Sequence, residues 1–388
     1  MTDFAEWTEK VQESASLALS TKAKTLKAQG KEIVNLTAGE PDFNTPPALK
    51  AAGIKAIENN LSYYTDVKGI QEVRKAIALK FQKENGINVS EKNVVISNGA
   101  KQCLFNALMC LLRKGDEVIV ASPFWSSYPE LIKIAGGTPK IVETKEKNDF
   151  ELKSDAIENA VNKKTKAVII NSPNNPAGAV YSERELRKIG ELAVEKNFYI
   201  ISDEIYEKII FDEKHFSIAS MGSEVFEKTI TVNGISKSFA CQGYRLGYVT
   251  ANDKIVNVMN VLQGHSTSNV NNVVQMQALS ALTQKIPETQ EMLDEFRRRR
   301  EFIIKRLNEI NGISCVNPKG AFYAFPNISE VLENKRLKDS MEFCKRLLEN
   351  GLAVMPSEPF GVKGHLRISF ASSMAELEKG MDILEKSV

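Results

Sequence analysis

The sequence predicts an α/β fold, in which a large domain has a mostly parallel sheet covered by helices on both faces and a smaller domain is α+β. Short apolar runs alternate with helical patterns between about residues 94 and 250. Such alternation is typical of a parallel sheet with both faces buried. The C-terminal part instead mixes a long helical pattern with short strands, which indicates a second, smaller unit.

The central elements follow from this alternation. We predict strands at Val94–Ser97, Val118–Ala121, Ala167–Asn171, Tyr199–Ser202, Thr229–Val232 and Leu246–Thr250. Helical spacing of apolar residues between strands predicts helices at Lys101–Leu112 and Ser182–Lys196.

The remaining elements belong to the smaller unit. We predict strands at Ala321–Phe325 and Leu366–Phe370, and helices over 293–310, around Ser340–Asn350, at Ala375–Lys386, and from about Ser20 to a C-cap at Gly30. The basic run Arg297–Arg300 is flanked by acidic residues, which favours a solvated helix face over a nucleic-acid site. At about 150 residues per domain, the length predicts two or three folding units, and we expect a large domain at 46–285 and a small domain made of 1–45 and 286–388.

Composition excludes several classes of protein. Of 388 residues, 43% are hydrophobic and 26% are charged, which is typical of globular proteins and not of disordered ones. The net charge of +2 argues against a nucleic-acid or membrane-surface binder. We expect no transmembrane helix, no signal peptide and, from five cysteines without a CxxC motif, reduced thiols in the cytoplasm. With three scattered histidines, no metal site is expected.

Ligands of open α/β sheets bind beyond the carboxyl ends of the strands, so the loops that follow the strands are informative. Gly99 opens the helix after the first strand, and a helix start with exposed N–H groups suits a phosphate, although an ordinary glycine turn has the same pattern. The loop Ser122–Tyr128 holds three aromatic residues that could stack on a planar ligand or pack in the core. Asn175, between two prolines, could donate to an oxygen or only shape a turn.

Two further loops carry charged groups. Asp203 follows a buried apolar strand, where a carboxylate needs either a cation or a capping role. Lys237 lies among small residues, with Arg245 nearby, so it is either a desolvated nucleophilic amine or a surface lysine. Pyridoxal phosphate would explain all five loops, because it needs a phosphate cradle, a stacking face, an acid at its ring nitrogen, a donor at its phenolic oxygen and a lysine at its aldehyde.

The motifs as a set resemble the class I aminotransferases of pyridoxal-phosphate fold type I, and most closely the bacterial gamma-type aspartate aminotransferases. The motifs that carry this resemblance are Leu36–Phe43, Tyr64 with Gly69, Ser97–Gln102, Asn171–Pro176, Ser202–Tyr206, Ser236–Lys237 with Arg245 and Gly247, and Leu366–Ser369. The resemblance extends along nearly the whole chain.

The resemblance implies a role for each matching residue in binding pyridoxal phosphate. Lys237 would hold the aldehyde and move the proton at the substrate α-carbon, while Asp203 would pair with the ring nitrogen. The other residues implied are Tyr206 and Asn175 at the phenolic oxygen, Trp125 on the ring, Ser236 beside the lysine, Arg245 with the backbone of Gly99, Ala100 and Lys101 at the phosphate, and Tyr64 at the phosphate of the neighbouring subunit. The last role implies a homodimer with shared active sites.

The resemblance also implies the substrate class. Arg367 and Asn175 would bind the α-carboxylate near Gly39 and Trp125, whereas Lys101 and Ser16 would contact a distal carboxylate. Strand alternation also separates Arg367 from its apolar neighbours, which leaves an exposed arginine as the alternative. Acidic donors and acceptors (aspartate, glutamate, oxaloacetate, 2-oxoglutarate) are therefore expected in a ping-pong reaction. The alternatives are a prephenate or aromatic aminotransferase, a β-C–S lyase, and a non-enzymatic amino-acid-binding or regulatory protein.

Overall fold

The computed structural model describes residues 5–11 and 15–388, without the side chains of Glu6, residues 15–20 and Lys24. Its helices are α1 (Ala15–Ala28), α2 (Pro47–Glu58), α3 (Gln71–Asn85), α4 (Ala100–Leu111), α5 (Ser127–Ile134), α6 (Ser154–Ala160), α7 (Glu183–Glu195), α8 (Ser223–Lys228), α9 (Asp253–Gly264), α10 (Asn272–Thr283), α11 (Glu288–Glu309), α12 (Ser329–Asn334), α13 (Ser340–Glu349) and α14 (Met374–Ser387). Within this described part of the chain, none of the helices has the length and apolarity needed to cross a bilayer.

The strands of the described residues form one large sheet and two small ones. They are β1 (Val34–Asn35), β2 (Val94–Ser97), β3 (Glu117–Ser122), β4 (Thr138–Glu143), β5 (Thr165–Asn171), β6 (Tyr199–Asp203), β7 (Thr229–Gly234), β8 (Gly247–Thr250), β9 (Tyr323–Ala324), β10 (Leu352–Ala353), β11 (Met355–Pro356) and β12 (Leu366–Ser369). The large sheet has the order β2-β8-β7-β6-β5-β3-β4, and β8 runs antiparallel to both of its neighbours while the other pairs are parallel.

Helices cover both faces of the large sheet. On one face, Ala167 and Ile169 of β5 pack in a cluster with residues of α4, α5 and α9, while on the other face Val168 and Ile170 pack against α7. Successive side chains of a strand point to opposite faces, so a strand that is buried on both sides is mostly apolar. The predicted fold class is therefore confirmed.

The first and last parts of the chain share a separate core. Strand β1 pairs with β10, strands β11, β12 and β9 form an antiparallel sheet, and Leu36, Phe296, Phe322 and Ile368 lie in one apolar cluster. Tyr206, from the turn after β6, also belongs to this cluster, so the core of the smaller unit extends to the edge of the large sheet. The domain boundaries at 45/46 and 285/286 stay a prediction.

One expectation about local structure was wrong, and a second was right for only half of its residues. Helix α1 begins at Ala15 rather than near Ser20, because the alanine-rich segment is strongly helix-forming on both sides of that serine. The basic run is a solvated face only at Arg297 and Arg298, which are partly or fully exposed, since Arg299 and Arg300 are buried. Arg299 pairs with Asp42 and Glu295, and Arg300 pairs with Asp212. These carboxylates come mainly from other elements, so the pattern within the helix could not indicate them.

Candidate active site

The candidate active site is a cleft of about 600 Å³ at the carboxyl ends of the central strands. Eleven of the predicted site residues line it: Gly39, Ala100, Lys101, Trp125, Asn175, Asp203, Tyr206, Ser236, Lys237, Arg245 and Arg367. Gly99 adjoins it at the start of α4. Tyr64 is 92% exposed and does not line the cleft, and the side chain of Ser16 lies outside the described residues.

One end of the cleft is suited to a phosphate. Gly99 has a φ of 88° and precedes α4 without a side-chain cap, and Ala100 and Lys101 at the helix start line the cleft together with Arg245. An uncapped helix start beside a guanidinium suits an anion. A Cβ on Gly99 would lie 2.5 Å from Nη2 of Arg245, and a Cβ on Gly247 would lie 2.2 Å from the amide nitrogen of Ala100. Glycine is required at 99 by the positive φ and at 247 by the neighbouring backbone, and the cradle so formed is suited to an anion.

Asp203 lies at the floor of the cleft, at the end of β6, and is 3% exposed. Its Oδ2 accepts a hydrogen bond of 2.7 Å from the Tyr128 hydroxyl, and its Oδ1 accepts one of 3.3 Å from the Ile205 N–H. Burial raises the pKa of Asp203 to about 6, although the hydrogen bond from Tyr128 opposes this change. A protonated pyridine nitrogen would supply a positive donor to this buried carboxylate, which fits the predicted cofactor.

Lys237 follows β7, and its Nζ donates a 2.6 Å hydrogen bond to the Gly39 carbonyl. Burial, together with the positive charges of Arg245 and Arg367, lowers the pKa of Lys237 to about 8, although Glu40 and Asp203 oppose this change. Near neutral pH an appreciable fraction of the amine is therefore unprotonated. An unprotonated amine in a cleft can attack an aldehyde and can accept a proton.

Arg367, on β12, is 3% exposed, so the alternative of an exposed strand arginine does not apply. Its Nη1 donates to Oδ1 of Asn175 over 3.1 Å, and its Nη2 donates to the Thr37 carbonyl over 2.7 Å. The guanidinium also lies 4.7 Å from the Tyr323 ring centroid. Among the described residues it has no carboxylate partner, and its Nε lacks a hydrogen bond. A buried guanidinium held in this way is suited to a ligand carboxylate.

Trp125 and Lys101 lie on the wall and rim of the cleft. The Trp125 ring packs edge-on against Tyr128, with centroids 5.3 Å apart, and the Lys101 Nζ lies 4.9 Å from the Trp125 ring centroid. Burial and then the charge of Arg245 lower the pKa of Lys101. A flat aromatic wall next to two cations indicates a site for a planar, anionic ligand.

Three residues of the site were missed at the level of sequence: Thr37, Tyr128 and Tyr323. The Tyr323 hydroxyl lies 2.9 Å from the hydroxyl of Tyr206, and burial raises the pKa of both tyrosines. Tyr128 belongs to the aromatic loop that was singled out, but no local pattern showed that its hydroxyl reaches Asp203. A tyrosine within an otherwise apolar buried run, as at Tyr323, is the signal that could have been used.

Comparison with known proteins places the chain in a family. Residues 31–384 match the family model of class I and II aminotransferases. The aspartate aminotransferase of Bacillus subtilis is 40% identical, covering 97% of this chain and 96% of that protein, and the aspartate/prephenate aminotransferase of Thermus thermophilus is 40% identical, covering 95% and 94%.

Solved structures give the same result for the fold. The Thermus thermophilus aspartate aminotransferase with maleate has a TM-score of 0.95 at 37% identity, with 100% of both chains covered. The Thermotoga maritima aspartate aminotransferase has a TM-score of 0.92 at 39% identity, with 99% of both chains covered. The resemblance inferred from the motifs is thus confirmed, and the chain belongs to the class I and II aminotransferase family.

Proposed function

We propose that this aminotransferase uses pyridoxal 5'-phosphate to exchange an amino group between L-aspartate or L-glutamate and 2-oxo acids. The observation that carries this proposal is the convergence of Lys237, Asp203 and Arg367 in one cleft beside an anion cradle. An amine, a buried carboxylate and a buried guanidinium are the groups needed at the aldehyde, at the ring nitrogen and at the substrate carboxylate.

The resemblance suggests which residues would hold the cofactor, and their position around one cleft supports this assignment. The helix start at Gly99–Lys101 and Arg245 would bind the phosphate, Asp203 the ring nitrogen, and Tyr206 with Asn175 the phenolic oxygen. Trp125 would cover the ring, and Ser236 and Lys237 would lie at the aldehyde end. When bound, the cofactor withdraws electrons from the substrate α-carbon and so makes its proton removable.

The side chains of this protein would do the remaining work. Arg367 would bind the substrate α-carboxylate together with Asn175, and this fixes the α-carbon relative to Lys237. The pKa of Lys237, about 8, is close to the value at which one group both accepts and returns a proton efficiently at physiological pH. Asp203 would stay ionised because a positive donor at the ring nitrogen favours the carboxylate.

A preference for acidic substrates rests on Lys101. Its ammonium lies at the rim of the cleft, beside Trp125, where a distal carboxylate could meet it. Several relatives are named aspartate or aspartate/prephenate aminotransferases, and prephenate is itself a dicarboxylate. Ser16 would assist at the same carboxylate.

Replacing Lys101 with alanine should therefore affect donors unequally. We expect kcat/KM for aspartate and glutamate to fall about tenfold or more, since a hydrogen-bonded charge pair contributes about 1.5–3 kcal/mol, while alanine and phenylalanine change little. The measurement is a donor panel assayed with one acceptor, with Lys101→Arg as the control that keeps the charge. Equal losses for all donors would exclude contact with a distal carboxylate.

Removing the Tyr128 hydroxyl should change the pH dependence of the reaction. The hydroxyl favours the ionised form of Asp203, so Tyr128→Phe should raise the pKa of Asp203 further, because the carboxylate loses a hydrogen bond. We expect the acidic limb of the kcat profile to move to higher pH with the KM for aspartate unchanged. A profile identical to that of the wild type would show that Tyr128 does not influence Asp203.

A direct assay tests the proposed function and its alternatives together. We expect the purified protein with pyridoxal phosphate to form glutamate and oxaloacetate from aspartate and 2-oxoglutarate. Pyruvate release from cystathionine without amino transfer would indicate a β-C–S lyase. A preference for prephenate or phenylalanine would indicate a prephenate or aromatic aminotransferase. Cofactor binding without turnover of any donor would indicate a binding or regulatory protein.

We also propose that the chain is a homodimer in which Tyr64 reaches the phosphate bound by a second copy. Tyr64, Tyr63, Ile57 and Ile54 are exposed apolar side chains close together in the sequence, which supports an interface there. A monomeric mass by light scattering would exclude the homodimer.

The five free cysteines, most of them buried, support a reducing, cytoplasmic location for the protein.

A further inference from the structure

A buried group of charged and polar side chains lies behind the turn that carries Asp203 and Tyr206. Asp203 and Tyr206 line the cleft, whereas the residues that follow them, Glu204 and Glu207, do not. The turn between them is closed by a 2.9 Å hydrogen bond from the Glu207 N–H to the Glu204 carbonyl. We refer to Glu204, Glu207, Lys80, Asn85 and His215 as the rear cluster.

Glu204 is fixed from several directions, although it is only 1% exposed. Its Oε1 accepts hydrogen bonds from Ser202 (3.0 Å) and Ser217 (2.7 Å), while its Oε2 accepts one from the Asn85 amide (3.1 Å) and lies 2.9 Å from Nε2 of His215. Both carboxylate oxygens are therefore occupied by protein donors. These contacts within the protein indicate a role within the fold.

Glu207 ties the other end of the turn to α3. It forms an ion pair with Lys80 and accepts a 2.7 Å hydrogen bond from the Asn85 amide. The charge of Lys80 keeps the pKa of Glu207 at about 2 in spite of its burial. Because Asn85 donates to both glutamates, a single residue at the end of α3 connects the two ends of the turn.

We propose that the rear cluster positions Asp203 and Tyr206 for the reaction, a role that rests on the proposed function. A cleft residue immediately precedes each glutamate in the chain, so a shift of Glu204 or Glu207 must displace Asp203 or Tyr206. The opposite side of Asp203 is held by the Tyr128 hydroxyl and, through its carbonyl, by the Asn171 amide at 3.0 Å. Displacement of a catalytic group by about 1 Å can lower the rate by about 100-fold.

The test removes the ion pair without leaving a buried charge unpaired. In the double variant Lys80→Met with Glu207→Leu, apolar side chains replace the pair, a change that often keeps or raises stability. We expect a folded protein with a moderately lower Tm, because Asn85 Oδ1 loses the hydrogen bond from Lys80. The dissociation constant for pyridoxal phosphate should be about tenfold higher, and kcat about tenfold lower with the KM for aspartate unchanged. The pH midpoint of the cofactor absorption band should shift as well.

A matched control separates positioning from general loss of stability. Glu185 is also buried and accepts hydrogen bonds from the N–H and hydroxyl of Ser154, but it lies on α7, outside the cleft. Glu185→Gln should lower the Tm and leave cofactor affinity and the absorption midpoint unchanged. If the double variant does not fold, Glu204→Gln takes its place. We expect the same changes in its affinity for pyridoxal phosphate and in its kcat.

The outcomes are distinguishable. A folded double variant, or failing that a folded Glu204→Gln protein, with cofactor affinity and kcat within about twofold of the wild type overturns the positioning role and leaves the proposed function intact. Wild-type protein that takes up no pyridoxal phosphate overturns the proposed function, and the positioning role with it. A selective loss of affinity and kcat in the rear-cluster variants, absent from Glu185→Gln, supports the inference.

Discussion

The variant Lys237→Ala should lose transamination by more than the roughly 10²–10⁴-fold that one acid–base group contributes. The amine is expected to act twice, because it would anchor the cofactor and would also move the proton at the substrate α-carbon. Among the described residues that line the cleft, the other lysine is Lys101, and its ammonium lies at the rim. We expect no neighbouring amine to replace Lys237.

The measurement is single-turnover and steady-state transamination of aspartate, with cofactor binding followed separately by absorbance. Lys237→Arg is the matched variant, because it keeps a positive charge but offers no nucleophilic amine at neutral pH. Both variants should bind the cofactor only by non-covalent contacts and should be equally inactive. Wild-type turnover in either protein would refute the role of Lys237.

Replacing Asp203 with asparagine should have opposite effects on stability and on catalysis. In the cofactor-free protein burial raises the pKa of Asp203 from 3.8 to about 6. The folded state therefore binds more protons than the unfolded state between these values, and stability falls as the pH rises from about 4 to about 6. Burial of the ionised carboxylate therefore lowers the free energy of unfolding by about 3 kcal/mol above pH 6, and this loss vanishes below pH 4. The Asp203→Asn substitution removes this loss, and the new amide oxygen can still accept the hydrogen bond from Tyr128.

We expect the cofactor-free Asp203→Asn protein to be more stable than the wild type at pH 8 and equally stable at about pH 3.5, as measured by denaturant unfolding. Its kcat should fall on the order of 10²–10³-fold, because no anion would face the ring nitrogen. If the wild type and Asp203→Asn have equal unfolding free energies at pH 8 and equal kcat values, burial of the Asp203 carboxylate does not destabilise the fold and Asp203 does not take part in the reaction.

The sequence predicted the central strands well because their burial on both faces leaves a continuous apolar run. The strand β4 was missed, since Thr138–Glu143 forms a sheet edge, is half exposed and contains a proline and two charged residues. The buried arginines Arg299 and Arg300 were likewise misjudged, because their distant partners Asp42 and Asp212 become neighbours only in the fold.

In the candidate site, too, contacts between residues that are distant in the sequence could not be predicted. Loops at the carboxyl ends of parallel strands must meet at one edge, so Asp203, Asn175 and Lys237 could be grouped from their positions alone. Thr37, Tyr128 and Tyr323 act through single hydrogen bonds to residues of the site, and such contacts depend on packing between distant segments. The rear cluster could not be foreseen for the same reason, as its ion pair joins residues that are far apart in the chain.

The Lys237 amine should bond to the cofactor aldehyde at a site whose floor is the Asp203 carboxylate. The most direct test is to incubate the protein with pyridoxal phosphate, reduce it with borohydride, digest it and locate the added mass by peptide mass spectrometry. We predict one cofactor per chain, attached to Lys237. Attachment to Lys101 or to any other lysine, or a protein that remains unlabelled, would show that Lys237 does not carry the cofactor.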